Sequence, residues 1–137
     1  MGVIFVLSSS LGGADHTSRF LGPLLRWLMP HAAPETLAQA HFLIRKAGHL
    51  TEYAVLALLA LRAVRRSMQP TVSGWSWKAA GLALLISATY AATDEFHQSL
   101  VPNRTASPGD VLIDSSGAFV ALMMAALWRK TAAGASP

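Results

Sequence analysis

Ionisable side chains lie inside apolar stretches that are long enough to cross a membrane. Five of the seven Asp and Glu residues are in these stretches or at their ends: Glu52, Asp94, Glu95, Asp110 and Asp114. The same segments hold three strong bases and two histidines: Arg45, Lys46, Arg104, His49 and His97. A charge is costly in hydrocarbon, so such residues are rare, usually paired and indicative of function. They restrict the chain to folds that turn these side chains away from lipid.

The composition is that of one apolar domain without cysteine chemistry. Of 137 residues, 53% are hydrophobic and only 13% are charged, whereas a soluble domain carries about 25% charged residues. The absence of cysteine excludes disulfides and thiolate metal sites. The net charge of +4 would suit nucleic acid, but the bases lie at the ends of apolar stretches, which favours a membrane and no nucleic-acid partner.

The apolar stretches predict an all-α fold, a multi-pass transmembrane helical bundle. We expect three spanning helices, over residues 37–66, over residues 75–96, and from Ser107 or Pro108 to about residue 130. Residues 17–30 predict an amphipathic helix in the membrane interface. Residues 1–7 are apolar but too short to cross about 30 Å of hydrocarbon, so we expect a truncated first helix. One transmembrane domain is predicted over residues 1–130, followed by a disordered tail at 131–137.

The distribution of Lys and Arg predicts the orientation. Six bases lie at one membrane face: Arg62, Arg65, Arg66, Lys78, Arg129 and Lys130. Five lie at the other: Arg19, Arg26, Arg45, Lys46 and Arg104. We expect the last three of these to have acidic partners, which leaves six bases against two. We expect the chain to lie in the inner membrane. The positive-inside rule then places loop 62–78 and the C-terminus on its cytoplasmic side. The buried ionisable residues would face the extracytoplasmic side.

Helical spacing arranges the polar residues in stripes. Arg45, His49 and Glu52 fall at positions i, i+4 and i+7 of one helix. The three stripes, in chain order, are Arg45, His49, Glu52 with Tyr53; Tyr90, Asp94, Gln98 with Glu95 and His97; and Asp110, Asp114, Gly117. A bundle that turns the stripes inward shields them from lipid. We therefore expect them to meet near one membrane face, with Arg104 in loop 99–106 above them.

The ordered set of these motifs resembles the VanZ-like membrane protein family over about residues 5–128. The motifs are Arg45-Lys46 followed by His49, Glu52 and Tyr53; Asp94-Glu95-Phe96-His97-Gln98; Val101-Pro102 followed by Arg104; and Asp110 followed by Gly117. The pair Ser8-Ser9 after the first apolar segment also fits. The resemblance implies a small multi-pass protein of the bacterial envelope, with some members linked to low-level resistance to the glycopeptide teicoplanin. It implies no settled biochemical activity. Family members often carry Asn where this chain has Asp114, which adds a charge here.

Two interpretations remain open for the acidic and histidine residues. His49 and Glu52 would serve as a general acid–base pair or as metal ligands, or as a hydrogen-bonded link between helices. Asp94, Glu95 and His97 would complete an oxygen-rich site for a divalent cation such as Mg²⁺, Mn²⁺ or Ca²⁺, or be neutralised by neighbouring bases. The sequence requires no cofactor.

The basic residues also allow two interpretations. Arg45, Lys46 and Arg104 would bind a phosphate group, because Arg presents a bidentate fork to phosphoryl oxygens. Alternatively, they form salt bridges within the bundle or reach out to lipid phosphates. Asp110 and Asp114 are expected to organise the bases, and Gln98 and Tyr53 to orient their neighbours.

The leading functional hypothesis is recognition or remodelling of an anionic envelope lipid or lipid-linked cell-wall precursor at the outer leaflet, consistent with glycopeptide tolerance. The predicted ligand-binding residues are Arg45, Lys46, Tyr53, Asp94, Glu95, His97, Gln98, Arg104, Asp110 and Asp114. The alternative is a metal-assisted hydrolase or transferase acting on a phosphate or acyl bond, with His49 or Glu52 as the catalytic acid–base and Asp94, Glu95 and Asp110 holding the cation. A third hypothesis is a structural helper of another envelope protein. The sequence leaves open whether the chain is an enzyme.

Overall fold

The computed structural model describes residues 14–68, 74–100 and 107–134, with side chains described from residue 21 to residue 131 within those ranges. These residues form four helices and no strands: α1 (Ala14–Leu28), α2 (Pro34–Met68), α3 (Trp77–Ser99) and α4 (Pro108–Gly134). The all-α prediction is confirmed. The expected truncated helix at residues 1–7 and the loop position of Arg104 lie outside the described residues.

Local chemistry explains where the helices begin. Pro34 and Pro108 occupy the first positions of α2 and α4, where a missing backbone N–H costs nothing. Ser76 caps α3, because its Oγ accepts a hydrogen bond of 3.2 Å from the Ala79 backbone N–H. The helix α4 continues to Gly134, past residue 130, where the sequence predicted it to end. Residues 135–137 of the predicted tail lie outside the described part of the chain.

The helices α2, α3 and α4 contact each other pairwise, and α1 contacts α2. The helices α2 and α3 are antiparallel, since Tyr53 packs with Ala91 in one buried cluster and Leu61 with Ala79 in another. The buried apolar residues of the three helices are mostly alanines: Tyr53, Leu56, Ala57, Leu61, Ala79, Ala80, Ala83, Ala91, Ala118, Leu122 and Ala126. Small residues of this kind allow helix backbones to approach closely.

Two of the described helices are long and apolar enough to cross a membrane: α2 and the Pro108–Thr131 part of α4. Only 22% and 28% of their apolar windows are buried inside the molecule. The helix α3 does not meet this criterion, because Asp94 and Glu95 at its C-terminal end lower its mean hydropathy. The structure is thus a helical bundle in which two helices meet the length and hydropathy criterion for a membrane span. The predicted third span is not confirmed by this criterion.

Gly117 lies at a close approach between α2 and α4. A Cβ atom built at residue 117 would lie against the Leu50 carbonyl oxygen and 3.0 Å from Leu50 Cγ. The backbone carbonyl of a helix cannot move aside easily, so only glycine fits here. Gly117 therefore allows the close approach of the α2 and α4 backbones.

We predict that Gly117→Ala lowers the thermal stability of the detergent-purified protein, because the added methyl group overpacks the α2–α4 contact at a cost of about 1–3 kcal/mol. The matched control is Gly81→Ala in α3, where an added Cβ meets nothing within 4 Å. Removing a helical glycine there should leave the melting temperature unchanged or raise it. Equal melting temperatures for the two variants would contradict the proposed packing.

Candidate functional site

Two ion pairs join α2 to α4. Lys46 Nζ donates to Asp110 Oδ1 in a partly buried salt bridge. One helical turn further along, His49 Nδ1 lies 3.6 Å from Asp114 Oδ1. Both positions advance in the same direction along the two helices, so α2 and α4 run parallel here. The expectation that Lys46 has an acidic partner is confirmed, and the bases next to Asp110 and Asp114 are Lys46 and His49.

The C-terminal end of α3 contributes buried polar side chains. Gln98 Nε2 donates a 2.9 Å hydrogen bond to Asp94 Oδ2, one turn earlier on the same helix. Glu95 Oε1 accepts a hydrogen bond from the Ser107 backbone N–H, which connects α3 to the start of α4. All three side chains belong to buried residues. The predicted shared face of Asp94 and Gln98 is thus observed.

Tyr53 lies at the centre, where the three helices meet. The residue is fully buried, and its ring lies 6.5 Å from that of Tyr90 between centroids, tilted by 50°. The Glu52, Asp94 and Asp114 carboxylates lie close enough to Tyr53 for their charges to act on its hydroxyl, and Glu52 lies similarly close to His49. The polar cluster, as we call this group, consists of Lys46, His49, Glu52, Tyr53, Asp94, Glu95, Gln98, Asp110 and Asp114. The three predicted stripes therefore meet at one end of the bundle.

Other predicted site residues lie at the margin of the polar cluster or outside the described residues. Arg45 is exposed, and the described residues form no ion pair with it. His97 is partly buried and has a polar partner. Arg104 falls in the segment 101–106, which is not described. The arrangement therefore assigns Lys46 to the interior and its neighbour Arg45 to the surface.

Two contacts were not anticipated from the sequence. Lys46 Nζ lies 5.3 Å from the centroid of the Phe42 ring, a cation–π geometry. The i, i+4 spacing of Phe42 and Lys46 was the available signal for this contact. The second is the Ser107 backbone N–H that binds Glu95, and a backbone donor in a loop has no sequence signature.

Three buried oxygen atoms of the polar cluster have no hydrogen-bond partner among the described residues: Tyr53 Oη, Asp94 Oδ1 and Asp114 Oδ1. The 3.6 Å separation between His49 Nδ1 and Asp114 Oδ1 is longer than a hydrogen bond. Buried polar atoms are normally satisfied, so unsatisfied ones require an explanation. The polar cluster is thus incompletely paired by the described chain itself.

The polar cluster holds five carboxylates and one lysine. Within residues 14–68, 74–100 and 107–134, no group of three or more His, Asp or Glu side chains is arranged to hold a metal ion. The expected cation ligands Asp94, Glu95 and Asp110 all belong to the polar cluster. They do not form such a group in this part of the chain. The described residues give the cluster an excess of negative charge.

The VanZ/LLP1 family model matches residues 1–129. The chain belongs to the VanZ/LLP1 family. The match covers every residue of the polar cluster and confirms the resemblance carried by the sequence motifs. No curated protein and no solved structure shows significant similarity to this VanZ/LLP1 chain.

Because Lys46 neutralises a partly buried carboxylate, we predict that Lys46→Gln destabilises the protein. Breaking a fully buried ion pair costs about 3–5 kcal/mol of unfolding free energy. The Lys46 and Asp110 side chains are 16% and 24% exposed, so we expect a loss somewhat below this range, because water screens the pair. The neighbouring Arg45→Gln is the matched control and should change stability by less than about 1 kcal/mol. Chemical denaturation in detergent measures both, and equal losses would contradict the assignment of the two bases.

Proposed function

We propose that this protein is a multi-pass protein of the inner membrane that binds the head group of an anionic lipid or a lipid-linked cell-wall precursor at the outer leaflet. The observation that carries the proposal is the polar cluster itself. It is buried at one end of a helical bundle whose outer surface is apolar, and such intramembrane polar groups are retained for function.

The distribution of exposed side chains supports a membrane location. Large apolar residues are exposed on α2, α3 and α4, including Leu59, Leu85 and Phe119. The helix α3 buries Asp94, Glu95 and Gln98, whereas its Leu85 and Phe96 are exposed. A helix with its polar residues inside and its apolar residues outside suits lipid better than water. We therefore propose α3 as a third span beside α2 and α4.

The length of α2 supports placing the polar cluster at the membrane surface. Seventeen residues separate Arg45 from Arg62, which is about 26 Å along a helix. This distance is close to the about 30 Å thickness of the hydrocarbon core. With Arg62 at the cytoplasmic interface, Arg45 reaches the opposite interface, where lipid phosphates lie. The exposed Arg45 guanidinium is suited to bind such a phosphate.

Recognition of a lipid-linked precursor at this surface would account for tolerance to teicoplanin, the property that the family resemblance implies for some members. The metal-assisted hydrolase or transferase is not favoured, since the described residues contain no metal-ligand grouping. The ion pairs of Lys46 and His49 also link helices, so these two residues combine a structural role with their place beside the proposed ligand.

The proposed topology predicts opposite labelling at the two ends of the bundle. The chain has no cysteine, so single cysteines at Asn103 and at Ser67 report position directly. In intact cells, Asn103→Cys should react with a membrane-impermeant maleimide, and Ser67→Cys should react only after lysis. The reverse pattern would place the polar cluster on the cytoplasmic side and overturn the outer-leaflet proposal.

Lipid binding tests the function. We predict that Arg45→Gln weakens binding to phosphatidic acid and phosphatidylglycerol in phosphatidylcholine nanodiscs by about fivefold, the factor given by losing roughly 1 kcal/mol from one exposed charge contact. Arg104→Gln is expected to act in the same way. Arg66→Gln, an exposed base at the other end of α2, is the matched control and should leave this binding unchanged. If wild type and all three variants bind every anionic lipid equally, the proposed function is wrong.

A further inference from the structure

We infer that Tyr53, Asp94 and Asp114 form a site for a primary ammonium group carried by the lipid head group. The inference rests on the proposed function, the binding of a phosphate-bearing head group, and adds a primary amine to that head group, so that zwitterionic lipids become ligands as well. It starts from the three buried oxygen atoms without a hydrogen-bond partner among the described residues, Tyr53 Oη, Asp94 Oδ1 and Asp114 Oδ1. These residues are 0%, 5% and 3% exposed, so bulk water does not satisfy them.

The three oxygens belong to one place in the bundle. Tyr53 packs against Tyr90 and Val111, which lie about one helical turn before Asp94 and Asp114 on their helices, and its hydroxyl makes a hydrogen bond to neither carboxylate. The three oxygens come from three different helices, α2, α3 and α4. The neighbouring groups are already committed: Gln98 donates to the other oxygen of Asp94, and Lys46 to Asp110. Within the described residues, two possible donors are the Tyr53 hydroxyl and His49 Nδ1, which lies 3.6 Å from Asp114 Oδ1, and neither completes a hydrogen bond to these carboxylates.

The number of donors and the charge favour an ammonium group. A primary ammonium has three N–H donors and no acceptor, which matches three unsatisfied oxygens, whereas a hydroxyl supplies only one donor. Its positive charge also opposes the excess of carboxylates over the single lysine of the polar cluster. A buried charge is tolerated when it is both paired and hydrogen-bonded, and this site would supply both conditions.

The margin of the proposed site is partly exposed. The His49 side chain is 25% exposed and Glu52 is partly exposed, and electrostatic interactions connect both with Asp94 and Asp114. Arg45 is exposed one turn before His49 on the same helix. A head group would therefore place its phosphate at Arg45 and direct its amine past His49 and Glu52 towards the three oxygens. The preferred ligand class is a phosphate-bearing lipid with a free primary amine.

The test compares lipids that differ only in the head group, by native mass spectrometry of the full chain. Phosphatidylethanolamine has the phosphate and the primary amine. Phosphatidylcholine keeps the phosphate and the charge but has no N–H donor, and phosphatidic acid has the phosphate alone. We expect wild type to prefer phosphatidylethanolamine over phosphatidylcholine about tenfold, because charge-assisted hydrogen bonds to buried groups are lost in the latter.

Asp94→Asn should abolish this preference. Tyr53→Phe removes one of the three acceptors without breaking a hydrogen bond within the described residues, so it reports on the site if Asp94→Asn fails to fold. It should reduce the preference in part. The matched control is Glu35→Gln, an exposed carboxylate outside the polar cluster, which should keep the full preference.

The outcomes separate the two proposals. Equal binding of phosphatidylethanolamine and phosphatidylcholine, both above diacylglycerol, would refute the ammonium site and leave head-group recognition intact. Binding of none of the three phospholipids, phosphatidic acid included, above diacylglycerol would refute both. A preference that survives in Asp94→Asn and in Tyr53→Phe would locate the amine elsewhere. Displacement of the lipid by free ethanolamine at equal concentration would show that the site takes a soluble amine, and would overturn the lipid-borne ligand.

Discussion

The parallel contact between α2 and α4 is the constraint on which the polar cluster depends. Gly117 brings the α4 backbone against the Leu50 carbonyl, and this approach sets the spacing at which Lys46 meets Asp110 and His49 meets Asp114. The ion pairs alone would not define the geometry, since long side chains bridge a range of distances. The glycine contact fixes the backbones, and the charged side chains then have only short distances to cover.

The third helix determines the charge balance of the polar cluster. Without α3, the carboxylates of α4 would be matched by the bases of α2, and the site would be a structural ion-pair ladder. The helix α3 adds Asp94 and Glu95 but, in its described part, no strong base near them. This addition changes the balance of the site from paired charges to an excess of acceptors. The functional proposals follow from that excess more than from any single residue.

Sequence periodicity predicted most of the fold and the membership of the site. The stripes of α2, α3 and α4 follow from helical spacing, so the meeting of His49, Asp94 and Asp114 was predictable. Periodicity does not show which of two adjacent residues faces the neighbouring helix. It therefore treated Arg45 and Lys46 as equivalent, whereas Arg45 is exposed and Lys46 is paired. It also gives no information on backbone donors such as that of Ser107. The span assigned to α3 depended on hydropathy, which the acids of the site itself reduce.

The alanine-rich interior of the bundle has a consequence for how its sequence tolerates change. Ala57, Ala83, Ala91 and Ala118 are almost completely inaccessible, and they fill the space between helices with single methyl groups. Replacement by alanine, the usual way to find important core residues, leaves such positions untouched. Stability here comes from the proximity of the backbones, which requires these residues to be small. Replacement by larger side chains, rather than loss of side-chain volume, is therefore the change that destabilises this interior.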